Sequence, residues 1–192
     1  MRYVKEKMIE SANNLKRLSE SDLLLKPVSE TADLIVRAVR AGNKLMICGN
    51  GGSAADAQHI AGEFVCRFYN NRKPMPAIAL STDTSVPTSI SNDYSYDDVF
   101  SRQVTALGKK GDVLLGISTS GSSGNVLGAF RAAREMDIRT VLLTGEKEKK
   151  IAGLSDIVIK TPSSDTPRIQ EMHLLIEHII CEIVEKRIYE GG

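Results

Sequence analysis

The sequence predicts an α/β fold, a three-layer αβα sandwich built on a five-stranded parallel sheet, with a helical hairpin in front. Three observations predict it. Five short runs rich in Ile, Val or Leu recur at residues 44–48, 77–81, 112–118, 139–144 and 157–161. Each is apolar along its length, as strands covered on both faces are. Helical patterns separate most of them, clearest at residues 53–68, 122–136 and 167–189. Such a βαβ series implies a parallel sheet with helices on both faces. Ligands in these sheets bind beyond the carboxyl ends of the strands, so the turns after Cys48, Ser81, Ser118 and Thr161 are where function is expected.

Residues 1–42 carry two helical patterns, and residues 43–192 read as the α/β core, the whole forming one domain. Residues 3–18 are amphipathic. Residues 27–41 carry Val28, Ala32, Leu34, Ile35, Ala38 and Val39, with Pro27 near a helix start and Gly42 near a C-cap. A lone N-terminal helix cannot bury its apolar face without a partner. The hairpin is therefore expected to pack on the domain and on a second subunit; packing on its own domain alone stays open.

The first strand runs into a small-residue turn, Gly49-Asn50-Gly51-Gly52-Ser53, and then an Ala-rich helix carrying His59 and Glu63. Strand, glycine turn and helix present backbone N–H groups to an anion. His59 and Glu63 lie one turn apart on one helix face, about 6 Å along the axis. An imidazole and a carboxylate at that spacing can share a small cation, Zn²⁺ first among common metals, with Mn²⁺, Fe²⁺ or Ni²⁺ possible. A solvent-facing His–Glu pair is the plainer alternative. Asn92-Asp93 reads as a loop whose polar ends can hold sugar hydroxyls or simply cap a turn.

The third strand leads into Gly116-Ile117-Ser118-Thr119-Ser120-Gly121-Ser122-Ser123-Gly124-Asn125 and a further helix. Ser118, Thr119, Ser120 and Ser123 can each donate a hydrogen bond, and Gly121 and Gly124 allow close backbone approach. The helix that follows adds its partial positive charge. The loop has no Lys or Arg and is not a Walker loop. Such a nest suits a sugar-phosphate monoester better than a nucleoside triphosphate with Mg²⁺; an ordinary capped helix after a flexible loop is the alternative. The run Lys147-Glu148-Lys149-Lys150 reads as a solvated turn. Along the last helix, His173 reads as a bystander, and Glu171 and Glu177 as surface charges.

Composition narrows the classes. The 192 residues are 42% apolar, enough for a real core, and the formal charge of +1 argues against a nucleic-acid surface. No apolar run approaches the roughly 18 residues of a membrane span, and the first residues carry no apolar leader pattern. Cys48, Cys66 and Cys181 are read as buried thiols in a reducing compartment, so a cytoplasmic protein is expected. With no Trp and few aromatic residues, stacking on bases or sugar rings is not expected to dominate.

Four separated segments, CGNGGSAADAQH, SNDYSYDDVFSRQ, GISTSGSSGNV and TPRIQEMHLLIEH, resemble the sugar isomerase (SIS) domain family, and within it the phosphoheptose isomerases. The resemblance runs from about residue 43 to the C-terminus, and the N-terminal hairpin also fits. It implies a SIS-type fold, aldose–ketose isomerisation of sedoheptulose 7-phosphate, and a cytoplasmic homotetramer with active sites at subunit interfaces. It implies one zinc per subunit, on His59, Glu63, Gln170 and His178, and acid–base roles for Glu63 and His178. Its substrate contacts map to Asn50, Gly51, Gly52, Glu63, Asn92, Asp93, Ser118, Thr119, Ser120, Ser123 and Gln170. Neither nucleic acid nor membrane is an expected partner.

Two features complicate that transfer. On a straight helix Gln170 and His178 stand about 12 Å and roughly 80° apart, so either the helix begins or bends near Gln170, which Pro167 would allow, or ligands from different subunits converge. Pro167 also stands where some family members carry an acidic residue, for which Asp165 is a candidate substitute. A non-catalytic SIS protein that binds a phosphosugar or a protein partner is the competing reading, and an isomerase of another phosphosugar is a third. Regulatory members share both turns; retention of His59, Glu63 and His178 together favours the enzyme.

Overall fold

In the computed structural model, which describes residues 1–147 and 150–189, the apolar runs assemble into one parallel sheet. Its strands are β1 (Leu45–Gly49), β2 (Ala77–Ala79), β3 (Val113–Ser118), β4 (Arg139–Thr144) and β5 (Ile157–Lys160), in the order β2-β1-β3-β4-β5. Register pairs Leu45 with Ala77 and Val113, Val113 with Arg139, and Val141 with Ile157. The sheet's central strands β1 and β3 are buried throughout. The first and third strands start one residue later than their apolar runs, directly after Lys44 and Asp112. The buried Asp112 carboxylate accepts from the Lys44 backbone N–H at 3.0 Å and from its ammonium at 2.6 Å.

Alternate strand residues feed two cores, as the period of two requires. Leu45, Ile47, Val113, Leu115, Ile117, Val141 and Leu143 face a layer made of α2 (Asp22–Arg40), α3 (Gly52–Val65) and α7 (Thr166–Tyr189). Met46, Cys48, Leu114 and Leu142 face α4 (Ser85–Asp93), α5 (Ser101–Leu107) and α6 (Gly124–Glu135). The remaining helix, α1 (Arg2–Ser19), packs against α2 and α7. Its Tyr3, Val4, Met8 and Ile9 side chains stay exposed.

Several expectations need correction. Pro27 is inside α2, which starts at Asp22. The ring removes the N–H that would reach the Leu23 carbonyl, and Leu23 is exposed. Gly42 does end the helix: at φ +76° it supports a Schellman closure, with Asn43 N–H on the Ala38 carbonyl and Gly42 N–H on that of Val39. Asn92 and Asp93 are the last residues of α4 rather than a loop. Cys66 is exposed just past α3, while Cys48 and Cys181 are buried as expected. Glu177 is fully buried rather than a surface charge. Glu148 and Lys149 of the basic run lie outside the described residues.

The strand order fixes the place of the site. From β1 the chain crosses to β2 on one side, then returns to place β3 on the other side. Adjacent crossovers that part in this way open a crevice at the carboxyl ends of the two strands. Both small-residue turns emerge there, because Gly49 pairs with Ile117 at the ends of β1 and β3.

Candidate active site

The glycine turn owes its shape to close approach. A Cβ on Gly49 would lie 2.7 Å from the Ser53 carbonyl oxygen, Gly51 has φ +57°, and a Cβ on Gly52 would run into the Gln170 amide. Asn50 does not point free into the crevice. Its amide nitrogen donates to Asn125 Oδ1 and its oxygen accepts from Asn125 Nδ2, both at 2.8 Å, while the Tyr96 hydroxyl donates to the same oxygen at 2.9 Å. This reciprocal amide pair ties the glycine turn to the start of α6.

The hydroxyl turn is the other wall. Ser118 and Ser123 hydroxyls pair at 2.9 Å, as do those of Ser120 and Ser122. Gly121, at φ +63°, closes the turn with its N–H on the Ser118 carbonyl at 3.0 Å. Ser118 is buried and Ser120 exposed. Thr119 and Ser120 open into a polar cleft of about 180 Å³ that continues past Ser163 and Ser164 to Thr166 at the start of α7. The Asp97 carboxylate abuts Gly124 at the first turn of α6, so part of that helix's positive end is already partnered. Asn92 and Asp93 are exposed, the Asn92 amide donating to Asp93 at 2.7 Å.

Away from the turns, α3 and α7 run side by side in the same direction. Gln170 covers Gly52, His178 meets His59, and Glu185 reaches the residues just past α3. His59 Nε2 and His178 Nε2 are 2.7 Å apart, with the rings edge to face at 5.0 Å, and Glu63 Oε1 is 3.6 Å from His59 Nε2. His178 is thus a half-buried partner of His59 rather than a residue sealed in the core. Helix α7 is continuous from Thr166, so no break brings Gln170 to His178.

Among the described residues, no three His, Cys, Asp or Glu side chains form a ready-made metal cage. The donor set nevertheless fits an open zinc site, which needs three protein ligands and a free position. A tetrahedral ion with bonds of about 2.0–2.1 Å needs its two nitrogens roughly 3.3 Å apart. Small rotations of the half-exposed imidazoles supply that opening. His59, Glu63 and His178 are the residues of this chain that can hold the ion together.

Behind the imidazoles the seam is polar but mostly uncharged. Burial pushes the Glu177 carboxyl up to about 8, with Asp56 adding to the effect. Burial pushes His173 down to about 4, against a weaker pull from the Thr144 backbone. Asp56 is raised by its own desolvation, with His59 opposing. Neither oxygen of Glu177 nor Asp56 Oδ2 has a hydrogen-bond partner.

With this geometry in place, kinship can be judged. The SIS domain family matches residues 9–145. A phosphoheptose isomerase of Burkholderia pseudomallei (strain 1710b) is 48% identical over 187 residues, 97% of this chain and 95% of its own. The chain belongs to the SIS domain family, among its phosphoheptose isomerases. A phosphoheptose isomerase of Aneurinibacillus thermoaerophilus is likewise 48% identical, over 98% of this chain and 96% of its own. The solved phosphoheptose isomerase of Neisseria gonorrhoeae superposes with a TM-score of 0.91 at 41% identity, covering 96% of this chain and 98% of that one. By this kinship the chain is an isomerase.

This SIS domain also uses residues that the sequence reading passed over. Asn125 and Tyr96 hold Asn50 in place. Asn125 lies within the segment GISTSGSSGNV, but nothing local announces a partner 75 positions away. No helix of the described residues is long and apolar enough to cross a membrane.

Proposed function

We propose that this SIS protein converts sedoheptulose 7-phosphate to D-glycero-D-manno-heptose 7-phosphate through an enediol. The observation that carries the reading is the meeting of Glu63, His59 and His178 on two parallel helices whose N-terminal ends lie at the crevice beyond β1 and β3. Glu63 takes a proton from C1 of the ketose while His178 gives one to the C2 oxygen, leaving an enediol. Return of a proton to C2 and removal of one from the C1 hydroxyl complete the aldose. The phosphate sits on Ser118, Thr119, Ser120 and Ser123, with the backbone of Asn50, Gly51 and Gly52 beside it. Asn92, Asp93 and Gln170 take sugar hydroxyls.

In the resting enzyme His59, Glu63 and His178 would hold zinc, which would supply a Lewis acid for the substrate carbonyl; proton transfer by Glu63 and His178 requires that they leave the ion. Gln170, about 12 Å from His178 along α7, joins such a centre only from another copy. Between Gly52 and Glu63, α3 rises about 16 Å, which also favours sites shared between subunits. We read the assembly as a homotetramer whose α1 faces are covered by neighbouring copies. A stable monomer by light scattering at micromolar concentration would remove that account. A cytoplasmic role in supplying a surface-glycan precursor follows from the substrate.

Assay of the purified protein, zinc supplied, against a panel of phosphosugars tests the reading. Turnover of the heptulose phosphate with solvent-deuterium incorporation at C2 of the product is expected. Binding with neither exchange nor turnover for any sugar would leave the non-catalytic SIS reading.

A further inference from the structure

The C-terminal end of α3 is fastened by one buried ion pair. Arg72 and Glu185 side chains are 2% and 1% exposed, with Arg72 Nε 2.6 Å from Glu185 Oε2. The rest of the guanidinium caps α3: one terminal nitrogen donates to the Phe64 carbonyl at 2.8 Å and the other to the Glu63 carbonyl at 2.7 Å. Glu185, on α7, accepts from the backbone N–H groups of Phe68, Tyr69 and Asn70 at 3.1, 2.8 and 2.9 Å. Desolvation alone would raise its pKa. The Asn70 N–H, Arg72 and the two other N–H groups outweigh that and hold it down to about 2. The loop held this way carries Phe68, whose ring lies 5.9 Å from that of His178.

Each contact bears on the acid–base pair. Arg72 grips the backbone of Glu63 itself. Glu185 sits on the helix that carries His178, two turns further on. The Phe68 ring lies tilted beside that of His178. A buried pair costs desolvation energy and is a poor stabiliser on that account alone, whereas a rigid fork with several acceptors is well suited to fixing geometry.

We propose that Arg72 and Glu185 are positioning residues that set the distance between Glu63 and His178 by locking the end of α3 and the Phe68 loop to α7. The inference rests on the acid–base reading given above. Arg72→Lys keeps the charge but cannot reach both carbonyls and Glu185 together. The double variant Arg72→Met/Glu185→Leu leaves no unpaired buried charge, and Phe68→Leu leaves the ion pair intact; these two serve where Arg72→Lys does not fold.

The phosphate grip lies at the other end of α3, so KM should stay within about twofold while kcat falls about 10–100-fold, the scale of a misplacement near 1 Å. Co²⁺ binding without substrate, followed by visible absorption, gives a second readout. A weakening of about 10-fold is expected, as for residues that orient metal ligands. Folded variants with wild-type kcat and wild-type Co²⁺ affinity would overturn the proposal while leaving the isomerase reading standing. If the wild-type protein turns over no phosphosugar yet the variants lose Co²⁺ affinity, the isomerase reading fails and the positioning role stands.

Discussion

At the carboxyl ends of β1 and β3 the chain presents backbone N–H groups and hydroxyls shaped by turns of a few residues. Along the seam of α3 and α7 it presents imidazoles and a carboxylate, His59 and His178 meeting across 119 positions of sequence. The turns need only glycines and neighbours: Ser118 finds Ser123, and Gly121 closes onto Ser118. The seam needs two helices held at one spacing, and the Arg72–Glu185 pair is where they are fastened. Under the proposed roles, binding can survive changes that stop proton transfer.

The largest expected effect breaks the two regions apart. Glu63→Gln keeps size and most hydrogen bonding but cannot accept a proton. It should lower kcat by about 10²–10⁴-fold with phosphosugar still bound by calorimetry, metal content being measured alongside. Loss of binding in step with kcat would mean that the seam also grips the substrate.

Arg72→Met alone strands Glu185 as a buried, unpaired carboxylate. It should cost about 3–5 kcal/mol in chemical denaturation. Since the Glu185 pKa is held near 2 against 4.5 in the unfolded chain, the wild-type stabilisation is present above pH 4.5 and is lost as pH falls through 2. The Arg72→Met deficit should shrink over that window.

Ser120→Ala tests the turns in isolation. Phosphosugar and inorganic phosphate should each bind about 1–3 kcal/mol more weakly, with kcat at saturation little changed. Unchanged affinity in both Ser120→Ala and Ser123→Ala would take the phosphate away from this loop.

The smallest effect concerns Glu177, whose oxygens are buried and unpartnered. Its folded pKa of about 8 exceeds the unfolded 4.5, so the folded state binds the extra proton between those values. Wild-type stability therefore carries a loss that grows as pH rises across that window. Glu177→Leu should raise stability and Tm, and by more at pH 8 than at pH 5. A variant less stable than wild type at pH 8 would mean that Glu177 has a partner in solution.

By itself the sequence determined the five strands, the helices between them, the Gly42 helix end and the two turns. These are set by local period, by apolar runs and by the backbone freedom of glycine, all of which act over a few residues. Its misreadings have the same origin. Helix α7 is apolar on nearly every side, so periodicity could not mark Glu177 as inward-facing. Pro27 reads as a boundary because proline favours the first turn of a helix, and only the fold places it inside α2. Asn92-Asp93 looked like a loop because both residues favour turns as readily as helix ends. Only the tertiary structure decided that Asn50 is locked to Asn125, that His178 faces His59 while Gln170 stays over Gly52, and that Arg72 meets Glu185. Those pairings depend on strand order and on the parallel alignment of α3 and α7. Packing against a shared sheet sets that alignment, and no local pattern encodes it.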